Sequence, residues 1–76
     1  MNNMRRKQLE GISSKLSDIL NDLELIKEEE EEYLSNIPDN LRGSERYQIS
    51  EAAIDNLATA LDQVDEAIMA IDSASE

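Results

Sequence analysis

Cysteine, histidine, tryptophan and phenylalanine are all missing from these 76 residues. No disulfide can form. Without thiolate or imidazole a zinc site loses its usual ligands, and only oxygen donors suited to hard cations remain. Acid–base and nucleophilic catalysis lose their commonest side chains too, and such chemistry would fall to carboxylates for which nothing in the sequence suggests an enclosed pocket. The expectation is a non-enzymatic protein with no catalytic residue, no metal and no cofactor. Proline occurs once and glycine twice, so breaks in secondary structure are few. No run approaches the roughly 20 apolar residues that span a bilayer. The basic stretch Arg5, Arg6 and Lys7 lacks the apolar segment of a secretory signal. A cytoplasmic location is expected, and the lack of cysteine is compatible with it.

Positive charge is scarce as well: seven Lys and Arg stand against eighteen Asp and Glu, a net charge of −11. Three of the seven are Arg5, Arg6 and Lys7, and from Tyr47 to Glu76 there are seven acids and no base. Such a surface repels nucleic acid and anionic membrane and attracts a basic surface on another protein.

What the chain does have is a mirrored heptad. Leu9 and Ile71, Ile12 and Ile68, Leu16 and Val64, Ile19 and Leu61, Leu23 and Leu57, Ile26 and Ile54, Glu30 and Ser50, and Tyr33 and Tyr47 are pairs whose numbers add to eighty. The first members step by three and four, the a/d rhythm, and the second members repeat it in reverse, as antiparallel packing requires. The pattern predicts an all-α, coiled-coil-like antiparallel two-helix hairpin. It forms one domain over residues 1–76, with helix one over about 8–35, a turn over 36–43 and helix two over about 44–73. Pro38 ends the first helix, and Ser44 caps the second with Glu45 in its first turn. Met1 to Lys7 is expected to fray. Gly11 is expected to mark a bend or a close approach. Ile37 and Leu41 are expected to plug the open end. Glu30 with Ser50, the one polar rung, is expected to be wet.

A core this small rarely supplies more than about 3–5 kcal/mol, and two lone helices leave one side of every rung facing water. Assembly into a four-helix or larger bundle is therefore expected. Helix two carries alanine at every seventh position, Ala53, Ala60, Ala67 and Ala74, beside the seam. An alanine row lets another helix approach closely, although alanine is also simply the best helix former. With Leu20 and Leu34, which widen the apolar face of helix one, these alanines are the expected subunit contact of a homo-oligomer.

Glu28, Glu29, Glu31 and Glu32, with Glu51, Asp55 and Asp62 on helix two, form the candidate partner-binding face. One reading is a solvated surface. The other is polyanion mimicry, in which carboxylates on a stiff frame imitate a phosphate track. Five consecutive glutamates point all round a helix and cannot converge on one cation, and Asp39 to Gly43 lacks the alternating ligands of a calcium loop. Arg42, Ser44 and Arg46 surround the start of helix two, where free amides and guanidiniums suit a small anion. Ordinary capping explains the same residues.

The segment Glu28 to Tyr47 contains the turn Asn36-Ile37-Pro38-Asp39-Asn40-Leu41-Arg42-Gly43-Ser44, and the alanine repeats follow it. Over roughly the last two thirds of the chain it resembles a group of small acidic helical-hairpin proteins encoded by bacteria and especially by their phages. The resemblance implies a setting, the host cytoplasm, more than a mechanism. Small acidic phage proteins often act as inhibitors of host defence or host machinery, and by that analogy a protein-binding inhibitor is expected. The leading expectation is thus a protein-binding module whose acidic surface occupies a basic nucleic-acid-binding site, with no direct nucleic-acid or membrane partner. The alternatives are a structural or regulatory oligomer that binds through apolar faces, and a sponge for a small anionic ligand.

Overall fold

A computed structural model describes residues 1–76 as two long helices, α1 (Asn3–Ser35) and α2 (Glu45–Ala74), joined through a short 3-10 turn at Asp39–Leu41. The helices pack on each other as the expected hairpin, 60 × 14 × 12 Å overall, with no strand. No helix is long and apolar enough to cross a membrane.

The basic segment is helical from Asn3, five residues before the expected start. Asn2 is the reason: its backbone is extended, and its side-chain oxygen accepts from the Arg5 N–H at 2.8 Å, which satisfies one of the orphan donors of the first turn. Arg5, Arg6 and Lys7 are good helix formers once that cap exists, and the Arg6 guanidinium adds a 3.4 Å contact to the Asn3 side chain. Gly11, expected at a bend or close approach, lies inside α1 with no neighbour within 4 Å of where a Cβ would stand. Gly11→Ala is therefore expected to raise stability by about 0.5–1 kcal/mol, read as a higher urea midpoint with unchanged slope.

At the other end of α1 the Asn36 N–H donates to the carbonyls of Glu32 (3.2 Å) and Tyr33 (3.3 Å). Pro38 then holds an extended backbone that stops the helix. The Leu41 N–H returns to the Pro38 carbonyl at 2.9 Å, and that of Ser44 to the Leu41 carbonyl at 3.1 Å. Ser44 is the expected cap, its hydroxyl accepting from the Tyr47 N–H at 3.3 Å. Ile37 is half-buried but Leu41 is exposed, so the expected plug is Ile37 alone.

The rung Glu30–Ser50 is direct rather than wet. The Ser50 hydroxyl donates to Glu30 Oε1 at 2.7 Å, and Ser50, 2% exposed, is the one buried residue of the chain. The fold at Asn36 to Ser44 brings α2 back along α1, so that Ser50 lies beside this carboxylate and is screened from solvent. The two bonded residues match the register about position forty.

The rest of α2 keeps its expected face. Tyr47, Ile54, Leu57, Leu61, Val64, Ile68 and Ile71 are half-buried along the seam. Helix α1 is turned about its own axis from the expected pairing. Leu9, Leu16, Leu23 and Glu30 face α2, but Ile12, Ile19, Ile26 and Tyr33 remain 46%, 47%, 51% and 44% exposed. Their places are taken by the half-buried row one residue on, Ser13, Leu20, Lys27 and Leu34. The two polar members of that row find partners. The Ser13 hydroxyl donates to Asp72 Oδ1 at 2.8 Å, and Lys27 Nζ to Glu31 Oε1 at 2.6 Å.

Candidate functional site

The hairpin has two long flanks of opposite character, and a few contacts settle which side chains share each. Leu20, Glu24, Leu61, Asp62 and Asp65 line one shallow groove. Seven residues on from Glu24, Glu31 lines a second groove with Leu34, Arg42, Tyr47 and Ile54. Seven on from Asp65, Asp72 accepts from Ser13. A heptad step returns to the same side of a helix in this geometry, so Glu24 and Glu31 of α1 stand beside Asp65 and Asp72 of α2 on one flank. Glu10 and Glu51 occupy the same heptad rows. Ser17 and Ala58 interrupt the two rows and Arg42 borders the groove at Glu31, so the acids of this flank are spaced rather than continuous.

The opposite side of the seam must carry the remaining flanking rows. These are Ile12, Ile19, Ile26 and Tyr33 from α1, and Ala53, Ala60, Ala67 and Ala74 from α2. Ala53 and Ala60 are half-buried, whereas Ala67 and Ala74 are exposed. No apolar side chain of the chain is fully buried.

The expected site residues divide accordingly. Glu31 and Glu51 sit on the acidic flank, with Asp62 and Asp55 at its outer margin. Glu28 and Glu32 lie on the back of α1, away from α2. Glu29 lies toward the isoleucine row. All seven are exposed. The glutamate run thus wraps the helix, while the further acids on the flank are Glu24, Asp65 and Asp72, dispersed residues whose signal was a seven-residue step, Glu24 to Glu31 and Asp65 to Asp72. Leu20 and Leu34, expected at a subunit contact, are half-buried on the intramolecular seam. The isoleucine row takes the open position instead.

Lys27 is the cation set among these acids. Its pKa is raised, chiefly by the hydrogen bond to Glu31, against an opposing effect of partial burial and with further help from the charges of Glu31, Glu24 and Glu28. The flank is negative enough to hold this ammonium charged above its ordinary value. Among the candidate anion ligands, Arg42 pairs with Asp39 at 3.0 Å, and the Ser44 hydroxyl is engaged in capping. Arg46 alone has no ion pair, and it borders a cleft with Tyr33, Asn36, Ile37, Pro38, Leu41 and Ser44. No three acids converge as a metal site would require. No known family, no curated protein and no solved structure matches this chain.

Proposed function

We propose that this protein is a non-enzymatic binding module that occupies a basic nucleic-acid-binding surface of another protein through its acidic flank. In this reading it is a phage-encoded inhibitor of a host defence or nucleic-acid-handling protein, acting in the host cytoplasm. The observation that carries the reading is the row of Glu24, Glu31, Glu51, Asp65 and Asp72 along one side of two continuous helices. The six acids of the flank, Glu10, Glu24, Glu31, Glu51, Asp65 and Asp72, recur at steps of seven or fourteen residues along their helices, roughly 10 or 21 Å apart. Regular helices hold these charges apart at fixed intervals, as a mimic needs and a disordered acidic tail does not provide. The likeness of the turn to those of small acidic phage and bacterial hairpins supports the setting.

The test starts from affinity capture out of bacterial cytosol and continues with the retained protein and duplex DNA. The expected result is competition with DNA for one site. Affinity should fall by two or more orders of magnitude between about 50 and 200 mM salt, as for phosphate contacts of similar number. Replacing Glu24, Glu31 and Glu51 with glutamine and Asp65 with asparagine should reproduce that loss at low salt. Binding that is flat with ionic strength defeats the proposal.

The exposed row Ile12, Ile19, Ile26 and Tyr33 favours a second reading, a structural or regulatory hairpin that binds through its apolar flank. Glutamate at Ala60 and Ala67 would then abolish capture, whereas the neutralised acids would leave it intact. A small-anion sponge has less support, because Arg42 and Ser44 already have partners.

A further inference from the structure

The protomer exposes 5693 Å², whereas a compact monomer of its 8.6 kDa mass exposes about 4,700 Å². The surplus, about 1,000 Å², matches what one partner contributes to a standard protein interface, about 800 Å². Its place is indicated by the apolar flank: four large side chains at heptad spacing on α1, each about half exposed, beside an alanine row on α2 that presents little bulk. We propose that a second copy of this chain covers that flank, forming a two-fold four-helix bundle in which α1 packs antiparallel on α1 of the partner subunit and the two turns lie at opposite ends.

Sequence arithmetic fixes the axis. An isologous contact must map the row onto itself, so Ile12 meets Tyr33 of the partner subunit and Ile19 meets Ile26 of the partner subunit, about a point between Asp22 and Leu23. Because the rungs of the hairpin add to eighty, that point is level with Leu57 and Ala58 on α2. Ala53 and Ala60 bracket this level. The same axis brings Ala53 to within two residues, about 3 Å, of the level of Ala60 of the partner subunit, and small residues there admit the close approach of two helices.

Charge selects the direction. Four of the seven cations, Arg5, Arg6, Lys7 and Lys15, lie in the first half of α1, and five consecutive glutamates, Glu28 to Glu32, lie near its end. About this axis Lys15 comes level with Glu30 of the partner subunit, and Arg6 with Asp39 of the partner subunit. The arrangement with both turns at one end instead gathers the two glutamate runs together. An open groove lined by Arg5, Lys7, Gln8, Ile12 and Lys15, with no residue from α2, receives the partner's acidic end. The acidic flank faces outward in this assembly, on both sides of the bundle.

Sedimentation equilibrium of the full chain is the test. The expected mass is twice the 8.6 kDa of the chain, falling to one chain mass for Ile19→Asp with Ile26→Asp while the helical circular dichroism persists. If that variant unfolds, Ile26→Ser is read in its place and is expected to weaken dimerisation at least about tenfold. Because the chain has no cysteine, a spin label at Ser35→Cys reports direction cleanly. The two labels should lie roughly 38 Å apart along the axis for opposed turns, against less than about 20 Å for turns at one end. A monomeric wild type, a dimer insensitive to these substitutions, or a short label distance overturns the proposal. None of these outcomes bears on whether the acidic flank binds a partner, which the glutamine and asparagine variant reads separately.

Discussion

Leu57→Asp is expected to unfold the protein. Leu57 lies near the middle of α2, on the rung it shares with Leu23 of α1, and both are half-buried between the helices. Even with partial burial, removing the leucine costs about 2 kcal/mol in lost transfer and packing energy. The aspartate that replaces it adds a desolvation cost and stands within a chain that already carries a net charge of −11. The expected total of at least about 4 kcal/mol equals or exceeds what a domain of this size holds. Far-ultraviolet circular dichroism of the variant should show most of the helical signal lost at room temperature. Leu57→Ala should retain the helices but lower the stability by about 2 kcal/mol. Leu25→Asp is the matched control. Leu25 lies on α1 and is 57% exposed, away from α2, so the same chemical change there should leave the spectrum unchanged. A folded Leu57→Asp protein would mean that the central rung is not what joins the helices.

The contrast between Leu57 and Leu25 also shows where the sequence was legible. Helix α2 has two apolar rows and one alanine row, so only one choice of face buries its large side chains, and all eight rung positions of α2 lie where the heptad put them. Helix α1 has three rows of mixed character. Leu9, Leu16 and Leu23 form one. Ile12, Ile19, Ile26 and Tyr33 form the second, and Leu20 and Leu34 share the third with Ser13 and Lys27. Two rows suffice to meet α2, and periodicity does not say which row joins the first. The contact between the helices that shows it, from Ser13 to Asp72, involves polar residues that a search for apolar repeats passes over. The acidic flank was hidden for a related reason. Glu28 to Glu32 draw notice by density but spread around the helix, while Glu24, Glu31, Asp65 and Asp72 are far apart in the chain and meet only once the hairpin closes. Asn2 escaped for another reason. A lone capping residue ahead of three cations reads as a frayed arm until the hydrogen bond to Arg5 is seen.

Added salt is expected to act with opposite sign on folding and on partner binding. Within the folded hairpin, acids of the same flank stand about 10 Å from their heptad neighbours, and each such pair repels by about 0.4 kcal/mol in water without screening. The screening length falls from about 30 Å at 0.01 M salt to about 3 Å at 1 M, so nearly all of this repulsion is removable. The unfolded chain, whose charges are farther apart on average, gains less. The flank has two such pairs, Glu24 with Glu31 and Asp65 with Asp72, so urea denaturation should show stability rising by up to ~1 kcal/mol across that range. The favourable pairs lost in exchange are few and exposed, Lys27 with Glu31 and Arg42 with Asp39, and pairs of this kind contribute only a few tenths of a kcal/mol each. Over the same range, binding to a basic partner should weaken steeply, because it depends on the very field that salt removes. A protein that grows more stable while it releases its partner separates screening of a functional charge from loss of structure. If stability falls with salt instead, the acids of the flank are held by attractions to cations rather than by the stiffness of the helices, and mimicry by a rigid acidic flank loses its basis.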